Sequence, residues 1–186
     1  YPDPAANRNV KNILVEHCVL WNAEPGNAVE IGYEVRCDEI SDITFRDLDI
    51  VHCEYEGNQS GGVLTIHNAD RAHIHDIVYE DIRVEDAQEK FVDIKVLDSK
   101  YSLDRKRGSV ENIYFRNVEI LNGNFPVSII RGFEMHTEMS RPRNIYFDNV
   151  VVLGKQVESP SDLHMVVELS DDILFNGTAH AKRNPF

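Results

Sequence analysis

Five times along the chain one phrase recurs: a polar residue, an isoleucine, then apolar side chains at alternate positions. The copies are Asn12-Ile13-Leu14-Val15, Asp42-Ile43-Thr44-Phe45, Asp76-Ile77-Val78-Tyr79, Asn112-Ile113-Tyr114-Phe115 and Asn144-Ile145-Tyr146-Phe147. Four residues after each isoleucine stands His17, Asp47, Asp81, Asn117 or Asn149. Seven after it stands Leu20, Ile50, Val84, Ile120 or Val152. The isoleucines lie 30, 34, 36 and 32 residues apart, a period that marks a solenoid. Alternation is strand periodicity, not the 3.6-residue spacing of a helix. The chain is therefore a repeat protein built of strands.

Each unit carries a second strand-like run: Ala28-Val29-Glu30-Ile31, Val63-Leu64-Thr65-Ile66, Phe91-Val92-Asp93-Ile94, Val127-Ser128-Ile129-Ile130 and Met165-Val166-Val167. Gly, Asn, Pro and charged residues separate the runs, as in turns, and no stretch has the capped amphipathic pattern of a long helix. Short strands stacked unit on unit predict an all-β fold, a single-stranded parallel β-helix of about five coils around one continuous core. The Asn and Asp residues before each isoleucine fall at one corner and stack there as a structural polar ladder.

Length and composition narrow the setting. The 186 residues fit one domain over 1–186 with enough apolar content for a core. No run approaches the length of a membrane span. A net charge of −13 excludes nucleic acid, whose phosphates call for a basic face, and disfavours polyanionic glycans unless cations gather at the site. Cys18, Cys37 and Cys53 have no CxxC spacing and read as buried free thiols. Asn58-Gln59-Ser60 and Asn176-Gly177-Thr178 match the glycosylation sequon, a tripeptide that arises by chance. Before the first strand stands only Tyr1-Pro2-Asp3-Pro4 and a few more residues, too little to cap a solenoid. The chain reads as the C-terminal portion of a longer β-helix.

The segments Gly26-Asn27-Ala28-Val29-Glu30-Ile31-Gly32, Ile40-Ser41-Asp42-Ile43-Thr44-Phe45 and Gly62-Val63-Leu64-Thr65-Ile66-His67 resemble the polygalacturonase-type glycoside hydrolases. That family has a Gly-His-Gly motif opening a strand that ends in Ile-Gly, then an Asn-Ile-x-Phe coil, then a Gly-Val-Arg-Ile-Lys strand. The likeness covers roughly residues 10 to 85 and implies a right-handed, pectin-lyase-like parallel β-helix that cleaves a polysaccharide with inversion. Three departures stand out: the motif histidine is Asn27, and the arginine and lysine fall on Thr65 and His67. Histidine is a weaker cation than lysine at neutral pH, which favours a neutral or differently decorated glycan over galacturonate. Third, the family's catalytic aspartates belong to coils upstream of the first motif, so the resemblance places them before Tyr1.

Inverting hydrolysis needs one carboxylic acid on the glycosidic oxygen and one carboxylate activating water on the opposite face. Here the carboxyl candidates are Glu30, Glu34 and Asp70, with Glu30 the candidate catalytic group because it points away from Val29 and Ile31. Thr65 and His67 share a strand face one coil above Glu30. Asn27, Arg36 and Arg71 complete the expected substrate-binding set, the arginines as replacements for the missing cations. Trp21 suits stacking on a sugar face. His73-Ile74-His75 puts two imidazoles on one strand face, with no third metal ligand evident. Lys100, Tyr101, Arg105, Lys106 and Arg107 form a solvated loop that walls one side of a groove.

The sequence thus points to a secreted or periplasmic glycoside hydrolase, acting on a polysaccharide or oligosaccharide without a cofactor, whose catalytic pair lies outside this chain. A non-catalytic glycan-binding β-helix is the alternative. A calcium-dependent lyase ranks last, because no carboxylate cluster with a neighbouring lysine is visible.

Overall fold

The computed structural model describes residues 9–23, 26–54, 61–124 and 127–179. The first half contains β1 (Val10–Asn22), β2 (Val29–Ile31), β3 (Glu39–Cys53), β4 (Leu64–Asn68), β5 (His73–Val84) and β6 (Val92–Val96). There follow β7 (Ser109–Ile120), β8 (Ile129–Arg131), β9 (Phe133–Met135), β10 (Glu138–Ser140) and β11 (Arg143–Val152). The chain closes with β12 (Lys155–Gln156), a 3-10 turn at Pro160–Leu163, β13 (Val166–Glu168), β14 (Asp171–Phe175) and β15 (Thr178–Ala179). Long strands β1, β3, β5, β7, β11 and β14 pair in parallel as one sheet, and short strands β2, β4, β6, β8 and β13 as a second. The fold is a parallel β-helix.

Every polar residue of the repeat has a backbone reason. Asn12, Asp42, Asp76, Asn112 and Asn144, and likewise His17, Asp47, Asp81, Asn117 and Asn149, all adopt φ between 50° and 58°. Asn and Asp tolerate this left-handed region better than other side chains with a Cβ. Two bends therefore divide each long strand, and each bend carries its own ladder. At the first, Asn144 Nδ2 donates to Asn112 Oδ1 and Asn112 Nδ2 to Asp76 Oδ1, both at 3.1 Å. At the second, Asn149 Nδ2 donates to Asn117 at 2.8 Å and Asn117 Nδ2 to Asp81 at 2.9 Å. The sequence pattern predicts only the first ladder.

The parallel register stacks like on like. Ile43, Ile77, Ile113, Ile145 and Ile173 form one buried column. Phe45, Tyr79, Phe115, Phe147 and Phe175 form another, with successive rings 4.7–5.1 Å apart and within 10° of parallel. These columns face Val29, Leu64 and Val92, and Ile31, Ile66, Ile94 and Ile130, across the core. A sixth rung, Asp172-Ile173-Leu174-Phe175, adds to the five copies of the sequence repeat. Its bend residues Asp172 and Asn176 are only four apart and no aliphatic follows them in register. Asn176 serves in that bend: its Nδ2 donates to the Val157 carbonyl and its Oδ1 accepts from the Asn149 amide. The other sequon, Asn58-Gln59-Ser60, and the segment Tyr1-Pro2-Asp3-Pro4 lie outside the described residues.

The two ends differ. At the C-terminal end Leu163 and Val157 seal the core, and β15 folds antiparallel onto β14. At the other end Val10 and Ile13 remain 39% and 38% exposed, where Ile43 one rung on is 4% exposed. A cavity of about 460 Å³ opens there, lined by Val10, Ile13, Val35, Ile40 and Phe45. Cys53 is buried and its thiol is pushed up to about 11 by desolvation, while Cys18 and Cys37 are half-buried; all three are free. Among the described residues no helix is long and apolar enough to cross a membrane.

Candidate functional site

On the outer face of the short sheet, side chains that alternate with the core aliphatics fall in register. Glu30, Thr65 and Asp93 occupy one position of β2, β4 and β6, and His67 and Lys95 lie side by side two residues on. Stacking thus converts residues 28 to 35 positions apart in sequence into neighbours about 4.8 Å apart.

His67 sits at the centre. Its Nδ1 donates to Glu30 Oε1 at 2.8 Å, and its Nε2 lies 3.4 Å from Asp93 Oδ2. Asn27 Nδ2 donates to the other Glu30 oxygen at 2.7 Å, while its own Oδ1 accepts from the Gly62 amide. Asp93 is fully buried and is met by Lys95 Nζ at 2.8 Å and Lys90 Nζ at 3.3 Å; Lys90 also reaches Glu89. Thr65 donates its hydroxyl to the Val29 carbonyl. Gly32 permits this packing, since a Cβ there would stand 2.9 Å from the His67 carbonyl oxygen and 3.1 Å from Glu30 Oε1.

Charge follows from these contacts. The His67 hydrogen bond holds the Glu30 carboxyl below its ordinary 4.5, against partial burial. Burial opposes a charge on Asp93 most strongly, yet His67 and Lys95 outweigh it and the carboxyl stays low. Burial likewise works against the His67 imidazolium, but Asp93 and Glu30 together raise it above 6.5. The network is a chain of alternating charges, Glu30 to His67 to Asp93 to Lys95, of which only Glu30 and Lys95 keep appreciable access to solvent.

Beside this network stand two tyrosines. The Tyr33 ring meets His67 edge-on at 5.5 Å, and Tyr101 meets Tyr33 edge-on at 6.5 Å. Tyr101 is 54% exposed, with Lys100 Nζ 4.8 Å from its centroid. An ionised carboxylate with fixed geometry can accept hydroxyl hydrogens, and an exposed ring such as Tyr101 can stack against an apolar ring face. Glu30 cannot donate a proton at neutral pH. Asp93, two rungs away at about 9.6 Å by strand spacing, is sealed from solvent, and an imidazole fills the space between. This pair is not the acid and base of an inverting hydrolase.

Of the expected site residues the fold unites Asn27, Glu30, Thr65 and His67. Glu34 and Arg36 are exposed and share the rim of the open-end cavity with Glu30. Asp70 and Arg71 belong elsewhere. Asp70 is buried and its Oδ1 accepts from the amides of Leu103 and Asp104. Arg71 pairs with Asp104 at 3.1 Å and Asp38 at 3.2 Å. Both anchor the 97–108 loop. In that loop Arg107 is not solvated: its side chain is 3% exposed and donates to the carbonyls of Ala69 and Asp104. Lys100, Arg105 and Lys106 are exposed.

Asp93, Lys95, Lys90 and Tyr33 join the site without having been singled out in the sequence. The signal for Asp93 and Lys95 was their alternation with Val92, Ile94 and Val96, which matches that of Glu30 and His67. A carboxylate cluster with neighbouring lysines therefore exists, contrary to the sequence-based expectation, because stacking assembles it. The His73 and His75 rings lie 4.2 Å apart, tilted by 34°, and spend their nitrogens on Glu111, Glu39 and Asp76. Among the described residues no group of three His, Cys, Asp or Glu is arranged to hold a metal ion. Comparison with family models, with curated proteins and with solved structures finds no match for this chain.

Proposed function

We propose that this β-helix binds a polysaccharide across the Glu30, Tyr33 and Tyr101 face and forms the substrate-binding wall of a glycoside hydrolase. A parallel β-helix is compatible with action on polysaccharides. The observation that carries the reading is Glu30 itself, an ionised, partly exposed carboxylate locked between Asn27 and His67, with half-buried Tyr33 against His67 and exposed Tyr101 against Tyr33. Its charge and that of the whole chain favour an uncharged or amine-bearing glycan over a uronate. Glu30 is held ionised and Asp93 is sealed from solvent, so in this reading the acid and base come from coils outside the chain. A polymeric substrate goes with a secreted or periplasmic setting.

A second reading, a binding β-helix without catalysis, is favoured by the imidazole that occupies the space between Glu30 and Asp93. Calorimetry against a panel of neutral, amino and uronic oligosaccharides tests both. We expect neutral or amino glycans to bind, Tyr101→Ala to weaken binding about tenfold at unchanged Tm, and Glu30→Gln to weaken it by a similar factor with a lowered Tm, since His67 loses a partner. A folded chain that binds no glycan overturns the proposal. Release of reducing ends by the 186 residues alone would contradict the placement of the catalytic pair.

A further inference from the structure

One corner of the solenoid carries a line of side chains that the Glu30 face leaves unused. Trp21, the only tryptophan, stands next to the end of β1 and is 69% exposed. Successive coils place His52, Asp86 and Asn122 at the same position: Trp21 pairs with His52 in the β1–β3 register, and the bridges from Cys53 to Ala87 to Gly123 carry the line onward. At about 4.8 Å per rung the four side chains span about 14 Å.

The indole is held in place. Its ring packs on that of His52 with centroids 5.1 Å apart and planes at 34°. His52 Nδ1 donates to Asp86 Oδ2 at 2.9 Å, and Glu54 Oε2 lies 3.5 Å from its Nε2. Gln88 donates to the other oxygen of Asp86. Two kinds of partner suit an exposed indole: another apolar surface, or a ring with an apolar face and polar edges. Imidazole, carboxylate and carboxamide neighbours make a poor core for a protein interface, which is depleted of charge at its centre. They suit a sugar. The C–H face of a pyranose stacks on the indole, while its hydroxyls donate to Asp86 or Glu54 and accept from Asn122.

We propose that the Trp21, His52, Asp86 and Asn122 line is a second sugar-binding subsite, selective for an uncharged or amine-bearing pyranose. His52 is its positioning residue. The inference rests on the reading of the chain as a carbohydrate binder. Asn22, next to Trp21 in the chain, donates its Nδ2 to the Asn27 carbonyl at 3.1 Å, and Asn27 donates to Glu30.

The lone tryptophan reports on its own site. Cellohexaose, chitosan hexasaccharide and hexagalacturonate are titrated into the whole chain while heat and tryptophan emission are recorded together. We expect emission to shift in step with the heat for the first two. Trp21→Ala, at an exposed position, keeps the wild-type Tm and weakens binding about tenfold, and Trp21→Phe recovers part of the loss. Binding heat with unmoved emission and an unchanged Trp21→Ala affinity overturns the subsite and leaves the Glu30 reading standing. Loss of binding in Glu30→Gln with none in Trp21→Ala likewise overturns the subsite alone. No heat with any of the three overturns both.

Discussion

His67 is a buried imidazole between two carboxylates, and each partner changes the energetics of the other. Glu30 and Asp93 lie below their ordinary values of 4.5 and 3.8, so the stability they add is full above those values and is lost as pH falls through the lower folded ones. His67 lies above 6.5, so its contribution is full below 6.5 and is lost as pH climbs through the raised folded value. The network is therefore strongest between 4.5 and 6.5. His75, raised by Asp76 and Glu39 against burial, acts in the same direction on the alkaline side. Thermal melts across pH separate the two. His67→Gln is expected to cost about 2 kcal/mol near pH 5.5, since Glu30 and Asp93 each lose a charged partner while Lys90 and Lys95 still meet Asp93. It should also flatten the alkaline fall in Tm. A variant whose alkaline slope equals that of the wild type would show that the imidazole is not charged in the fold.

At the scale of the element, the bends decide why Asn and Asp recur. Asn112, at φ 55°, accepts from Asn144 and donates to Asp76. Replacing it by alanine loses about 1 kcal/mol of net hydrogen bonding and adds about 1 kcal/mol of left-handed strain. Glycine loses the hydrogen bonds and avoids the strain. Urea unfolding should therefore rank the chains wild type, then Asn112→Gly, then Asn112→Ala. If alanine is no worse than glycine, the ladder alone accounts for the asparagine and the bend does not. The same argument explains the polar residue four positions after each isoleucine: the sequence displays it in every copy, while its backbone cause lies in the second bend.

At the scale of the whole molecule, stability is a sum over rungs and their nearest-neighbour contacts. Central rungs are covered on both sides, as the fully buried Ile77, Phe115 and Ile113 attest. Among the described residues the first rung is covered on one side, and its inward aliphatics Val10 and Ile13 are exposed. Opening should therefore start at that end. Native-state hydrogen exchange is expected to find β1 amides exchanging at least about tenfold faster than those of β7. Equal protection of β1 and β7 would mean that the end rung is covered in solution. The open edge and its apolar rim also mark where another surface is most readily accepted.

By itself the sequence determined the repeat, the strand alternation and the inward columns, because period and burial follow from local spacing of apolar residues. It also made Glu30 and His67 legible as outward groups on successive coils. It could not show that Asp93 and Lys95 complete their network, since rung-to-rung register depends on turn lengths, and the repeat itself varies between 30 and 36 residues. Nor could it show that Asp70, Arg71 and Arg107 bind the 97–108 loop to the coils, through backbone groups and an aspartate that only the folded loop brings near. The tertiary structure decided both, by stacking residues remote in sequence at strand separation and burying them until each charge needed a partner.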